Sequence, residues 1–98
     1  MTIDVHSFYT PASFERLKKL ADTKETPFVV IDTKTIEEHY IDLKKGFPIA
    51  DIFYAMKANA NIAVVKQFIS MGAGVEVASA GELYVCKKLG VNPKDIVP

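Results

Sequence analysis

The sequence predicts an α/β fold in which short parallel strands alternate with helices. Apolar strand segments start near Phe28, Ile52, Val75 and Ile96, so they recur about every 21 to 24 residues, the length of one strand–helix unit. These segments are apolar on both faces, as expected of parallel strands that are covered by helices. Two architectures fit this pattern, an open doubly wound sheet and a (β/α)8 barrel.

The N-terminal half begins with a helix for which Thr10 is the N-cap and Pro11 the first helical residue. Residues 27–31 form a short apolar run rich in β-branched side chains, which predicts a strand. Residues 32–45 have helical periodicity, and Gly46 predicts where that helix ends. The positions expected to face the core are Phe14, Leu17 and Leu20 in the first helix and Ile36, Tyr40 and Leu43 in the second.

The C-terminal half contains three further predicted strands and two helices. The strands are residues 52–57, 75–78 and 95–98. Asn59 or Asn61 caps the helix after the first of these strands, and Gly72 ends it. The last helix begins at Ser79, which has the spacing of a capping box to Glu82 three residues later.

Two regions are expected along the chain. Residues 1–26 are an N-terminal segment with one helix, and residues 27–98 supply three strand–helix units and the start of a fourth strand. A barrel needs roughly 250 residues, so this chain is expected to be a fragment of one. Because a partial barrel leaves strand edges unpaired, we expect the isolated piece to be oligomeric, unstable or prone to aggregation.

The composition is that of a soluble globular protein, with 49% hydrophobic and 24% charged residues. Twelve basic residues balance twelve acidic ones, which argues against binding to nucleic acid or to a membrane surface. The single cysteine, Cys86, is expected in a helix core and is typical of a cytoplasmic protein. His6 and His39 are far apart without the spacing of metal ligands, so they are expected on the surface and no metal site is predicted.

Lys57 is the candidate catalytic residue because it stands at the C-terminal tip of an apolar predicted strand. A lysine is costly to bury, and one held at such a tip is a candidate amine nucleophile or Schiff-base former. The alternative is that the strand ends at Met56 and Lys57 opens a solvated loop.

Strand alternation predicts the neighbours of this lysine. Ala55 shares its face, where its small side chain leaves room for a planar ligand. Glu76 on the next strand is expected to point the same way, and its carboxylate could keep the lysine or a nearby imine protonated. Alternatively, Glu76 only balances a buried lysine. For Ser79 and Glu82, the helix cap alone is a sufficient explanation.

Two segments resemble one known family. Residues 53–59, FYAMKAN, and residues 75–83, VEVASAGEL, resemble the N-terminal part of the fold-type III pyridoxal-phosphate decarboxylases, which act on ornithine, lysine, arginine or diaminopimelate. The resemblance covers about residues 27–98. It implies an alanine racemase-like (β/α)8 TIM barrel followed by a β-sandwich domain, and a homodimer with its active sites at the subunit interface.

The resemblance also implies roles for individual residues. Lys57 would carry pyridoxal 5'-phosphate as a Schiff base, and Ala55 would lie beneath the cofactor ring. Glu76 stands where many of these decarboxylases have an aspartate beside the cofactor, so its side chain is longer than the family's. Glu82 matches a glutamate that the family keeps near the active site. Together these are the predicted cofactor-binding residues.

The choice within the family rests on few residues. Alanine racemases continue after the lysine with Tyr-Gly-His, whereas this chain continues with residues 58–62, ANANI, which disfavours a racemase. Residues 77–79, VAS, favour decarboxylation of ornithine or lysine to a diamine for polyamine synthesis. A diaminopimelate decarboxylase of lysine biosynthesis and a non-catalytic, decarboxylase-like regulatory protein remain as alternatives.

Overall fold

The computed structural model describes Asp4 and residues 7–98. His6, which was expected on the surface, lies outside the described residues. The chain divides into two units, the first ending at Ile31 and the second comprising Asp32–Pro98.

The first unit contains helix α1, Pro11–Thr23, which confirms the helix that Thr10 and Pro11 predict. Thr10 Oγ1 accepts a hydrogen bond of 3.1 Å from the Ser13 backbone N–H, so it satisfies one of the free donors at the helix start. The predicted strand at residues 27–31 is wrong. This segment is not paired with any strand among the described residues, and without a partner an extended apolar run forms no ladder. Its Val29 side chain is 87% exposed.

The second unit has three α-helices, and each begins at a side-chain cap. They are α2 (Thr33–Gly46), α3 (Ile62–Ser70) and α4 (Ala80–Lys88), capped by Asp32, Asn61 and Ser79 respectively.

Helix α2 differs from its prediction in the face that it buries. Tyr40 is buried and Ile36 partly buried, but Leu43 is 47% exposed. The partly buried position in the next turn is Lys44, four residues after Tyr40, and its Nζ donates a 2.7 Å hydrogen bond to the Ala50 carbonyl. The inward-facing side of α2 therefore consists of residues spaced four apart, Ile36, Tyr40 and Lys44. The aliphatic part of the Lys44 side chain takes the place that was expected for Leu43.

The three described strands are parallel, in the order β1 (Phe53–Ala55), β2 (Gly74–Glu76) and β3 (Ile96–Val97). Each is shorter than predicted. A single-turn 3-10 helix follows β1 directly, and another, Pro93–Asp95, precedes β3. The alternation of parallel strands with helices is as the sequence predicts.

The core lies between this sheet and helices α3 and α4. Its centre consists of Met56, Val65, Val75 and Cys86, all of which are fully buried. Tyr54 and Val77 pack against this cluster, so the Tyr54 side of β1 faces the helices, opposite the Ala55 side that was expected to leave room for a ligand. Burial of side chains of this size stabilises the fold by about 1.5–3 kcal/mol each. None of the helices described here is long and apolar enough to cross a membrane.

Candidate functional site

Lys57 lies in the 3-10 turn Met56–Ala58, at the C-terminal end of β1. The prediction that the strand reaches Lys57 is therefore wrong, because β1 ends at Ala55. Met56 is fully buried in the core, and the backbone leaves the extended conformation at this residue to form the turn. The Lys57 side chain is exposed, as expected in the alternative that the strand ends before it. However, Lys57 lies in an ordered 3-10 turn and not in an irregular loop.

The backbone after the turn is held by side-chain hydrogen bonds. The Tyr54 hydroxyl donates a 2.7 Å hydrogen bond to the Asn59 carbonyl. Asn59 Oδ1 accepts one of 2.9 Å from the Asn61 N–H, and Asn61 Oδ1 caps α3 by accepting one of 2.9 Å from the Ala63 N–H. Asn61, not Asn59, is therefore the cap, while Asn59 orders the loop before it.

The Tyr54 ring is held in place by packing, in addition to the hydrogen bond of its hydroxyl. It stacks on Phe68 of α3, with ring centroids 4.1 Å apart and an angle of 9° between the planes. Burial raises the pKa of Tyr54 above its ordinary value of 10.0. The hydroxyl therefore stays protonated at neutral pH and remains a donor.

Ala55 and Glu76 are direct neighbours on β1 and β2, since these strands pair with Ala55 opposite Glu76. Val75 faces the core, so Glu76 lies on the opposite face, as predicted, and is partly buried there. Among the described residues, neither Lys57 nor Glu76 has a side-chain hydrogen bond or ion pair. Lys57 is exposed, so the alternative that Glu76 merely balances a buried lysine does not apply.

Phe53 and Gly74 form a close contact on this same face, one that sequence reasoning missed. A Cβ atom built on Gly74 would lie 2.5 Å from Phe53 Cδ1 and Cε1 and 2.8 Å from the Asp95 carbonyl oxygen. Only glycine leaves room for the phenylalanine ring to cross β2 here. A glycine at the start of a strand is a signal of close approach, but the sequence does not show which side chain approaches.

Glu82 closes the cap of α4. Its backbone N–H donates to Ser79 Oγ at 3.1 Å, while its own carboxylate accepts from the Ala78 N–H at 2.9 Å and from the Ser79 hydroxyl at 3.2 Å. The predicted capping box is thus present, with the carboxylate bound to the N–H of Ala78, one residue before the usual Ser79. Both carboxylate oxygens of Glu82 thus accept a hydrogen bond within the cap. A role for Glu82 beside a cofactor stays a prediction.

Comparison with known proteins identifies relatives for most of the chain. Residues 33–98 match the family model "Pyridoxal-dependent decarboxylase, pyridoxal binding domain". Diaminopimelate decarboxylase of Aquifex aeolicus is 46% identical over 81 residues, which are 83% of this chain and 19% of the relative. Lysine/ornithine decarboxylase of Selenomonas ruminantium is 35% identical over 85 residues, 87% of this chain and 22% of the relative. The chain thus spans about a fifth of their length.

Solved structures include similar chains. Lysine decarboxylase from Selenomonas ruminantium superimposes with a TM-score of 0.77 at 33% identity, over 90% of this chain and 23% of that one. The complex of SrLDC with PLP and cadaverine has a TM-score of 0.77 at 35% identity, over 84% of this chain and 22% of that one.

Proposed function

Because this chain belongs to the pyridoxal-dependent decarboxylases and corresponds to part of their pyridoxal binding domain, we propose that the protein decarboxylates a basic amino acid with the help of pyridoxal phosphate. Its parallel sheet is part of the (β/α)8 barrel of that family, as the sequence predicts. The observation that carries the proposal is the turn Met56–Ala58. It presents the Lys57 amine at the C-terminal edge of the sheet, where barrel enzymes place their chemistry.

The residues at this edge fit the cofactor. The Lys57 side chain is exposed, and none of the described residues binds its amine, so it is free to take a ligand. Ala55 offers a methyl group where a larger side chain would obstruct a planar ring. Glu76, on the neighbouring strand, supplies a carboxylate on the same face. Glu82 contributes through the cap that it closes at the start of α4, which fixes the turn after Glu76.

Each residue has a distinct task in this proposal. Pyridoxal phosphate, when bound, supplies a protonated ring that accepts the electron pair released as the α-carboxylate leaves as carbon dioxide. Lys57 Nζ would hold the cofactor at its aldehyde carbon and, once displaced by the substrate amine, would donate and accept protons at the substrate. The Glu76 carboxylate would favour the positively charged form of nitrogen atoms in the site.

The substrate of this proposal is ornithine or lysine, with the product diamine feeding polyamine synthesis. The similarity to lysine/ornithine decarboxylase of Selenomonas ruminantium supports it. Diaminopimelate is the second candidate, supported by the 46% identity to the Aquifex aeolicus enzyme. Carbon dioxide release from each of the three amino acids separates the two candidates, and no release from any of them would favour the regulatory alternative. By its resemblance to the family, the full-length protein is proposed to be a homodimer.

The lysine assignment is tested by reducing the full-length protein with borohydride in the presence of pyridoxal phosphate and mapping the adduct by mass spectrometry. We expect the pyridoxyl group on the Lys57 peptide, and no adduct in the Lys57→Ala variant. Lys66 on α3 is exposed and serves as the matched control, because Lys66→Ala should retain the adduct. An adduct on a different lysine would refute the assignment.

A further inference from the structure

Tyr54 closes a loop around Lys57. Its hydroxyl, on β1 before the lysine turn, reaches the carbonyl of Asn59 after the turn at 2.7 Å. The bond joins the Tyr54 side chain to the backbone of Asn59, five residues later, with Lys57 between them. On the strand side, the same loop is anchored by Met56, which is fully buried in the core.

An aromatic cluster determines where the Tyr54 hydroxyl points. The Tyr54 ring stacks on Phe68, and the Phe68 ring meets that of Tyr40 edge-on, with centroids 6.4 Å apart and planes at 70°. Tyr40 is buried, so helices α2 and α3 both hold this cluster in place. A tyrosine has few rotatable bonds, and packing on its ring therefore fixes its hydroxyl.

We propose that Tyr54 is a positioning residue for Lys57, and this rests on the proposed function of Lys57 as the cofactor-binding amine. The Lys57 side chain has four flexible carbons and no partner among the described residues, so only its backbone limits where the amine can lie. Without the bond from Tyr54, residues 57–61 would be restrained only by their own local hydrogen bonds. The amine would then spend less time within reach of the cofactor aldehyde.

Tyr54→Phe is the direct test because it removes the hydroxyl and keeps the stacked ring. Tyr84→Phe is the matched control, since Tyr84 is 58% exposed on α4 and contacts the Lys88 amine instead of the lysine turn. In the cofactor-free full-length protein, we expect amide hydrogen exchange in residues 57–61 to be about five-fold faster in Tyr54→Phe, the factor that corresponds to one lost hydrogen bond. Exchange elsewhere, and in Tyr84→Phe, should be unchanged.

The second readout is the rate at which pyridoxal phosphate becomes attached to Lys57. Attachment joins the amine nitrogen to the aldehyde carbon with loss of one water, and hydride from borohydride then reduces the carbon–nitrogen double bond, which gives a stable adduct. We expect this rate to fall about five-fold in Tyr54→Phe, while the thermal midpoint falls by only about 2–4 °C, the shift that one lost hydrogen bond produces. Phe68→Leu removes the surface on which the Tyr54 ring stacks but keeps the Tyr54 hydroxyl. It should also speed hydrogen exchange in residues 57–61 and slow cofactor attachment, so it tests the proposal if Tyr54→Phe does not fold.

Two failures are distinguishable. If the parent protein gives no adduct on Lys57, the proposed function is wrong, and hydrogen exchange alone still reports whether Tyr54 holds the loop. If the parent is labelled on Lys57 while Tyr54→Phe and Phe68→Leu exchange and attach at the parent rates, the positioning role of Tyr54 is overturned and the proposed function stands.

Discussion

Gly74→Ala should destabilise the fold, although alanine is the smallest possible addition. The φ angle of Gly74 is outside the left-handed region, so backbone conformation is not the obstacle. The obstacle is space: the new Cβ would lie 2.5 Å from two carbons of the Phe53 ring and 2.8 Å from the carbonyl oxygen of Asp95. Carbon atoms in favourable contact are about 3.5–4.0 Å apart, so the Phe53 ring must move by about 1 Å, and the Asp95 oxygen must also give way.

The magnitude depends on which neighbour can move. The Phe53 ring is 39% exposed and can rotate outward, which loses its contact with β2. The Asp95 oxygen is part of the backbone just before β3 and cannot move without shifting that strand. Overpacking of this kind costs about 1–3 kcal/mol, and we expect about 2–3 kcal/mol here because two groups are displaced.

Urea denaturation of the full-length protein, followed by far-ultraviolet circular dichroism, measures this cost. Gly46→Ala is the matched control, because a Cβ at Gly46 would meet nothing within 4 Å. It should be neutral or stabilise by up to about 1 kcal/mol. The double variant Phe53→Ala/Gly74→Ala separates the two obstacles: removing the ring should recover roughly half of the loss, and the part due to Asp95 should persist.

Two results would refute this reasoning. A Gly74→Ala variant within about 0.5 kcal/mol of the parent would mean that the ring does not cross β2 as described. Strictly additive effects of Phe53→Ala and Gly74→Ala would mean that the two residues do not contact each other, since contacting residues show coupling energies of about 0.5–3 kcal/mol.

Two further predictions concern helix α4. Burial, with a smaller contribution from the charge of Glu82, raises the pKa of Cys86 above its ordinary value of 9.0. The unfolded chain therefore releases this proton at a lower pH than the folded one, so stability should fall as the pH rises above about 9. The slope between urea midpoints at about pH 8 and pH 9.5 should be shallower in Cys86→Ala, and equal slopes would contradict it. Ser79→Ala should cost about 1 kcal/mol by removing the cap of α4, whereas Ser79→Thr should stay near the parent.

Features governed by neighbouring residues could be predicted from the sequence. The starts of α1 and α4 follow from Thr10 and Ser79, because a cap needs only a short polar side chain and the N–H groups two or three residues later. The side of β1 that faces the helices also follows from the sequence, since alternation is a property of the strand itself.

Features that depend on distant residues could not be predicted. Strand β1 gives way to the 3-10 turn Met56–Ala58, although no glycine or proline in that turn marks the end of the strand. Residues 27–31 have the composition of a strand but lack a partner strand among the described residues. The bond from the Tyr54 hydroxyl to Asn59 likewise depends on the stacking of its ring on Phe68, fourteen residues further along the chain.

Met56 and Lys57 are consecutive residues in opposite environments. Lys57 is exposed, whereas Met56 is fully buried, with its sulfur 3.4 Å from that of Cys86. Selection for a stable interior and selection for a well-placed amine therefore act on two adjacent residues of the same short turn. Over evolutionary time such a segment should resist change, and new substrate preferences would arise more easily from side chains that surround the amine than from the residues that support it.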